Sequence, residues 1–161
     1  MEILDIYDKL GNRTNKTTPR GNKNLQDDEY IKIVVIWIKC QGKWLIQKCS
    51  EETGGEYAVT GGHVPSGYTA ENQAKIEIME ELNLKIDENR LAYLGTITRG
   101  HALFDCYLYE DNTIHNYPFV LQEEEVESIH WLNNEEIDQL IEQGLLRQSS
   151  QAQYEKYIKN K

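Results

Sequence analysis

Three glutamates, Glu77, Glu80 and Glu81, lie three and four residues apart in a segment that contains no glycine or proline. An α-helix has 3.6 residues per turn, so this spacing places the three carboxylates on one side, within about a hundred degrees of arc. Like charges at such spacings destabilise a helix slightly unless something neutralises them. Mg²⁺ would do so, because it prefers oxygen ligands and keeps waters for a phosphate-bearing substrate. An ordinary solvated helix face is the competing interpretation of the spacing.

A glycine-rich segment from Thr60 to Gly67 precedes this predicted helix. We interpret it as a loop that enters the helix N-terminus. Free amides there can face an anion, and a backbone carbonyl can join a metal ion. The loop and the acidic helix together predict a site for a cation and an anionic ligand.

The same segment resembles the Nudix box, whose pattern is Gly, five residues, Glu, seven residues, Arg-Glu, an aliphatic residue, any residue, Glu-Glu, any residue, Gly, and an aliphatic residue. Six positions agree, namely Gly62, Glu77, Ile78, Glu80, Glu81 and Leu84. Over about residues 2 to 145 the chain looks like the Nudix hydrolases related to isopentenyl-diphosphate isomerase. This wider resemblance includes Leu4 to Asp8 with Arg20-Gly21, Trp37-Ile38 with Leu45 to Lys48, Val59 to His63, and Leu121 to Val126 followed by Trp131.

The resemblance implies an α+β protein with the Nudix fold, an α/β/α sandwich around a mixed β-sheet. It also implies that water cleaves a diphosphate linkage with the help of Mg²⁺, or of Mn²⁺ in its place. The substrate would be a small molecule of the nucleoside-diphosphate type or a related diphosphate. We expect no nucleic-acid polymer as a partner.

Carried over by position, the resemblance makes Glu80, Glu81 and the Gly62 carbonyl metal ligands. Glu77 is then either a further ligand or the base that activates water. The acidic run 123–125 can supply another ligand or base, and Glu125 is our choice among its three residues. The candidate substrate-binding residues are Arg20, Lys48, His63 and Tyr68.

Three positions depart from the box: Tyr68 replaces its first Glu, Ile76 its Arg and Asn83 its later Gly. Losing the Glu and the Arg together leaves no orphan charge, so the fold can tolerate both changes. Loss of groups that orient metal ligands typically costs about 10- to 100-fold in affinity or activity. A Nudix-fold module that binds its ligand with weakened catalysis is therefore one alternative function.

The isomerase itself is a second and weaker alternative. It uses a cysteine in a Cys-Gly-His-Pro sequence and a metal site rich in histidine. Here Gly61 takes the place of that cysteine, although His63 matches the histidine. His101, His115 and His130 have no spacing typical of metal ligands.

The elements that must position these residues follow from periodicity and turn signals. Apolar residues every fourth position from Ala70 to Leu82 predict the central helix, with Thr69 as its N-cap. We expect one domain over residues 1–161, with 1–28 as an N-terminal strand followed by a basic arm. The other predicted elements are strands Ile3 to Tyr7, Tyr30 to Lys39, Trp44 to Lys48, Leu91 to Arg99, Ala102 to Tyr109 and Val126 to Leu132, a helix from Asn133 or Asn134 to about Glu142, and a terminal helix from Gln151 to Lys161.

Charged residues are unevenly distributed along the sequence. Of 17 basic and 27 acidic residues, ten acids and no Lys or Arg lie between Glu110 and Leu146, so the remainder is balanced. This balance argues against a sequence-independent nucleic-acid binder. No apolar run is long enough for a membrane helix, the start lacks a secretion signal, and the three cysteines lack a CxxC spacing, so we expect a cytoplasmic protein with reduced thiols. A homodimer is a general expectation for such folds.

Overall fold

The computed structural model describes all 161 residues. Nine strands and three α-helices are connected by short loops and 3₁₀ turns. The strands are β1 Ile3–Tyr7, β2 Arg13–Pro19, β3 Ile31–Cys40, β4 Lys43–Cys49, β5 Tyr57–Ala58, β6 Thr60–His63, β7 Leu91–Arg99, β8 Ala102–Glu110 and β9 Val126–Leu132. The helices are α1 Ala70–Leu82, α2 Asn134–Glu142 and α3 Gln148–Gln153, which continues as a π-helical turn, Tyr154–Ile158.

Seven strands form one mixed sheet. Its central order is β5-β4-β3-β8-β7, with β6 paired to β3 and β9 paired to β4. The pairing of β3 with β8 is parallel, and the other pairings in this sheet are antiparallel. The α+β class and the mixed sheet expected from the sequence are confirmed.

The sheet is covered on both faces, and β3 shows why. Its residues Val34, Ile36 and Ile38 belong to the hydrophobic cluster that contains Ile78 and other residues of α1. The alternate residues Val35 and Trp37 belong to the cluster on the opposite face, with α2 and the terminal helix. Successive residues of a strand point to opposite faces, so a strand buried on both sides is apolar throughout. The result is the expected α/β/α sandwich.

Helix α1 begins and ends where the sequence predicts. The Thr69 side chain accepts a hydrogen bond from the Asn72 amide at 3.1 Å, which caps the first turn. Asn83 takes the left-handed conformation at the other end, with φ 55°. Asparagine adopts this conformation more readily than most residues, so it replaces the glycine of the box without breaking the helix end.

The second helix also follows its sequence signals. Asn133 forms a capping box with Glu136, and Gly144 follows the helix with φ 68°. The terminal helix begins at Gln148, three residues before the predicted start. No helix in the chain is both long and apolar enough to cross a membrane.

The predicted basic arm is wrong in part, because residues 13–19 form strand β2. It pairs antiparallel with β1, with Leu4 opposite Thr18 and Asp5 opposite Thr17. The turn is held by the Asp8 carboxylate, which accepts from the backbone amides of Leu10 and Asn12. Strand β2 is largely exposed, so it has no alternating apolar pattern by which the sequence could reveal it.

Candidate active site

A polar cavity of about 300 Å³ lies beside α1 and β6, next to the β1–β2 hairpin. It brings together residues from five separate parts of the chain. The lining residues are Glu2, Arg20, Gly61, Gly62, His63, Pro65, Tyr68, Gln73, Ile76, Glu77, Glu80, Glu81, Gln122 and Glu125. Eight of the nine site residues predicted from the sequence are in this set, and Lys48 is outside it.

The first half of the segment predicted as a glycine-rich loop, Thr60–His63, is strand β6. Gly61 and Gly62 lie in strand β6, opposite Val35 and Val34 of β3. The Glu77 carboxylate packs directly against the α-carbon of Gly62, where the β-carbon of any other residue would overlap it. The φ of Gly62 lies outside the left-handed region, so the backbone conformation does not require glycine here. Gly62 is instead required because Glu77 approaches the strand so closely.

A polar row runs along α1 through Gln73, Glu77 and Glu81, each four residues from the next. The Gln73 Nε2 donates to Glu77 Oε1 at 2.8 Å, and the carboxyl groups of Glu77 and Glu81 lie in hydrogen-bonding contact. Gln73 and Glu81 are buried, with 6% of each exposed, while Glu80 beside them is exposed.

Burial and mutual proximity disturb the ionisation of both carboxyl groups. Burial raises the pKa of Glu81 well above its ordinary value, and the neighbouring Glu77 raises it further. Burial also raises the pKa of Glu77, although the bonds from Glu81 and Gln73 oppose that effect. Two carboxyl groups in contact with little water cannot both ionise without cost, so this pair favours any cation placed beside it.

Gln47 supports the same pair from strand β4. Its Nε2 donates to the Thr60 hydroxyl at 2.6 Å, and its side chain lies near Glu81, where it opposes the rise in the pKa of that carboxyl. Sequence reasoning missed Gln47 and Gln73. The spacing of four residues between Gln73 and Glu77 could have identified Gln73, whereas Gln47 stands in an apolar strand without a recognisable signal.

The donor chemistry of the cavity fits a hard divalent cation. Carboxylates of α1 and the backbone of Gly62 supply oxygen atoms, the ligand type that Mg²⁺ and Mn²⁺ prefer. In the present side-chain positions no three His, Cys, Asp or Glu side chains converge on one point. Glu77 and Glu81 contact each other instead, so a shared ion would require these side chains to adjust.

The basic character of the cavity comes from one side chain. The Arg20 Nη1 lies 3.4 Å from Glu2 Oε1, a loose pair at the cavity mouth. His63 adds no charge at neutral pH, because burial, together with the nearby Arg20, lowers its pKa to about 4. Arg20 is thus the one cation that faces the acidic wall.

Lys48 was predicted to bind substrate, and the structure places it elsewhere. Its ammonium lies 3.7 Å from Glu127 Oε2 and above the Tyr57 ring. Neighbouring residues of a strand point to opposite faces, so the direction that carries Gln47 to Glu81 carries Lys48 away from it. The prediction for Lys48 is corrected on this ground.

The loop before β9 carries Glu125 to the cavity. The Gln122 amide donates to the Glu81 carbonyl at 3.1 Å, and the Ser50 amide donates to the Glu125 carbonyl at 3.0 Å. These two bonds tie the loop to α1 and to the end of β4. Of the three glutamates in the acidic run, Glu125 alone lines the cavity.

The hairpin holds the loop that enters α1. The Asp5 carboxylate accepts from the Ser66 hydroxyl at 2.7 Å and the Gly67 amide at 3.0 Å, and it pairs with the Arg13 Nε at 3.1 Å. Arg13 also donates to the Tyr68 carbonyl at 2.7 Å. Arg13 is therefore occupied in positioning Tyr68.

Replacing Asp5 by Asn should destabilise the chain by about 1 to 2 kcal/mol at pH 7, because bonds to a charged acceptor are lost. Burial raises the pKa of Asp5, but the bonds from Gly67, Ser66 and Arg13 outweigh it and bring the pKa below the ordinary 3.8. The stability from this carboxylate is then present in full above about pH 4 and lost as the pH falls through the folded pKa. Denaturant unfolding at pH 7 and pH 3 measures the difference, which must shrink at pH 3. An equal difference at both pH values would contradict the assignment.

Comparisons with known proteins agree with this geometry. No family model matches the chain. It is 28% identical over 154 residues to Nudix hydrolase 3 of Arabidopsis thaliana, a match that covers 84% of this chain and only a fifth of that protein. It is also 28% identical over 150 residues to an uncharacterised Nudix hydrolase of Listeria monocytogenes, covering 89% of this chain and 87% of that one.

Solved structures show the same fold. The crystal structure of DR0079 from Deinococcus radiodurans matches with a TM-score of 0.74 and 21% identity, over 90% of this chain and 91% of that one. A MutT Nudix hydrolase from Burkholderia pseudomallei matches with a TM-score of 0.61 and 19% identity, over 78% and 95%. The chain is similar in sequence to Nudix hydrolases and has the Nudix fold.

The departures from the box lie where they affect the candidate site directly. Tyr68 and Ile76, in place of the Glu and Arg of the box, both line the cavity. No charged residue therefore occupies either position. Of the four histidines, His63 alone reaches the cavity. Gly61 holds the cysteine position of the isomerase, so the cysteine on which the isomerase alternative depends is absent from that position.

Proposed function

We propose that this protein hydrolyses a diphosphate linkage in a small molecule, a nucleoside diphosphate derivative or a related diphosphate, by attack of water on phosphorus. The observation that supports the proposal most is that Arg20 lines the same cavity as Glu77, Glu80 and Glu81. A substrate with two phosphates is an anion that needs both a basic side chain and a cation at the acidic wall.

In this proposal Glu80, Glu81 and the Gly62 carbonyl hold Mg²⁺ or Mn²⁺, and Glu77 is either a further ligand or the base. The cation, when bound, neutralises phosphate oxygens and lowers the pKa of a bound water. Glu125 approaches from the loop before β9 and is the second candidate for a base or ligand.

The remaining lining residues would bind the substrate. Arg20 is free to exchange its loose contact with Glu2 for a phosphate oxygen, which is a stronger partner for a guanidinium. His63 is neutral and offers a hydrogen bond without charge. The aromatic ring of Tyr68, 45% exposed, offers a surface on which a base or an apolar tail can pack.

A panel of nucleotide sugars, dinucleotides and isoprenoid diphosphates, assayed for phosphate-containing products with Mg²⁺, with Mn²⁺ and with a chelator, tests the proposal. We expect turnover of at least one class that requires the metal. Metal-independent turnover, or none with any class, would overturn it.

The weakened binding module remains the second candidate, because the positions of Tyr68 and Ile76 carry no charge. It would bind a member of the same panel without converting it. Titration of each ligand by calorimetry in parallel with the assay distinguishes the two functions. Binding without products favours the module.

A further inference from the structure

We infer that Gln73 is a positioning residue that holds the Glu77 carboxylate for the cation. This inference rests on the proposed function, and it assigns a role to a residue that the Nudix box leaves unspecified. Gln73 falls among the seven residues of any type between the first Glu position and the Arg-Glu pair of the box.

The contact geometry sets Gln73 apart from the other lining residues. It lies one turn before Glu77, 6% exposed, and its Nε2 is 2.8 Å from Glu77 Oε1. Side chains four residues apart on a helix lie one above the other, so this bond follows the helix axis. On the far side, the Glu77 carboxylate abuts the α-carbon of Gly62. The carboxylate is thus held between an amide and a strand, with Glu81 as its third neighbour.

The chemistry of an amide explains why it suits this position. The amide of Gln73 donates a hydrogen bond and adds no charge, so the negative charge of Glu77 remains available.

No cationic side chain of α1 orients the Glu77 carboxylate. Ile76 has no hydrogen-bond donor on its side chain. Lys75 lies outside the cavity lining, and its ammonium pairs with Glu88 at 3.0 Å. Gln73 is therefore the sole side-chain amide that bonds to Glu77. It does the orienting that the missing charged residues of the box cannot do here.

The test measures binding of Mg²⁺ alone to the full chain by isothermal calorimetry, without substrate. Gln73→Met keeps the size of the side chain and removes its donor. Loss of an outer partner of a metal ligand typically weakens affinity by about 10- to 100-fold, and we expect a loss in that range. Gln151→Met is the matched control, because Gln151 Nε2 donates to Glu155 Oε1 at the same spacing and the same 2.8 Å, in an exposed bond from α3 to the turn that follows it. Its affinity should stay within about twofold of the wild type.

Turnover as a function of Mg²⁺ concentration separates positioning from damage to the fold. In Gln73→Met the concentration for half-maximal rate should rise with the loss of affinity, while the rate at saturating Mg²⁺ returns to within a few-fold of the wild type. A misfolded variant would not be rescued by the ion. If the melting temperature of Gln73→Met is below that of the wild type, Gln73→Ala, which keeps a good helix former at this position, is measured in its place.

Each outcome has one meaning. Wild-type affinity for Mg²⁺ in both Gln73 variants overturns the inference and leaves the proposed function intact. Absence of Mg²⁺ binding to the wild-type chain overturns the metal-dependent function, and the inference with it. An equal loss in Gln151→Met would show a general effect of glutamine removal and would also overturn the inference.

Discussion

Glu81→Gln is expected to lower kcat/KM by more than about 100-fold, beyond the range typical of outer partners of a metal ligand. Gln has the same shape as Glu and carries no negative charge, so the change removes a proposed ligand with little change in packing. Glu81 is the most buried of the four glutamates on α1. Among these glutamates, the carboxyl group of Glu81 is therefore the one that water screens least.

The same substitution should leave the metal-free fold as stable as the wild type, or more stable. Burial of a carboxylate beside a second one opposes folding, and a neutral amide avoids that cost. Activity and melting temperature are therefore expected to move independently. Glu123→Gln, in the exposed acidic run outside the cavity, is the control that removes one charge without touching the site. Full activity in Glu81→Gln would contradict the proposed role, and a large fall in melting temperature would assign Glu81 to the fold instead.

Gly62→Ala is expected to reduce activity by more than about 100-fold in a chain that still folds. The new β-carbon would overlap the Glu77 carboxylate, which is the far end of a flexible side chain and can move aside. The backbone of Gly62 is not in the left-handed region, so alanine brings no conformational strain. We expect activity to fall because the β-carbon displaces the Glu77 carboxylate, and catalysis depends on the exact position of such groups.

Gly61→Ala is the contrasting variant one residue earlier. Its β-carbon would overlap the Val34 carbonyl of the neighbouring strand, which cannot rotate away. This variant should lose stability, and Gly62→Ala should keep it. Steady-state kinetics and thermal unfolding of the two proteins measure the difference. Near wild-type activity in Gly62→Ala would show that Glu77 need not approach the strand.

The sequence predicts well those parts in which one local pattern decides the outcome. The fourfold apolar spacing from Ala70 to Leu82 defined α1, and Thr69 marked its start. The strands predicted at Tyr30 to Lys39 and Trp44 to Lys48 correspond to β3 and β4, which pair with each other. Because α1 is one rigid element, the common face of its glutamates also followed from spacing alone.

Features that depend on contact between distant parts were not predictable in the same way. Strand β2 is stabilised by pairing with β1 rather than by an apolar pattern. The opposite directions of Gln47 and Lys48 depend on which face of β4 meets α1, a choice made by the whole sheet. The role inferred for Gln73 requires the position of the Glu77 side chain.

The parallel pairing of β3 with β8 has a consequence for the order of assembly. Ile31 is opposite Ala102 and Lys39 is opposite Glu110, so every pair in this ladder closes a loop of about seventy residues. Such distant pairings form slowly, because chain entropy is lost before the contacts compensate for it. Strand β6, which carries Gly62, pairs with the same β3. A nascent chain can therefore contain every residue of α1 and still lack the completed sheet against which its carboxylates are arranged.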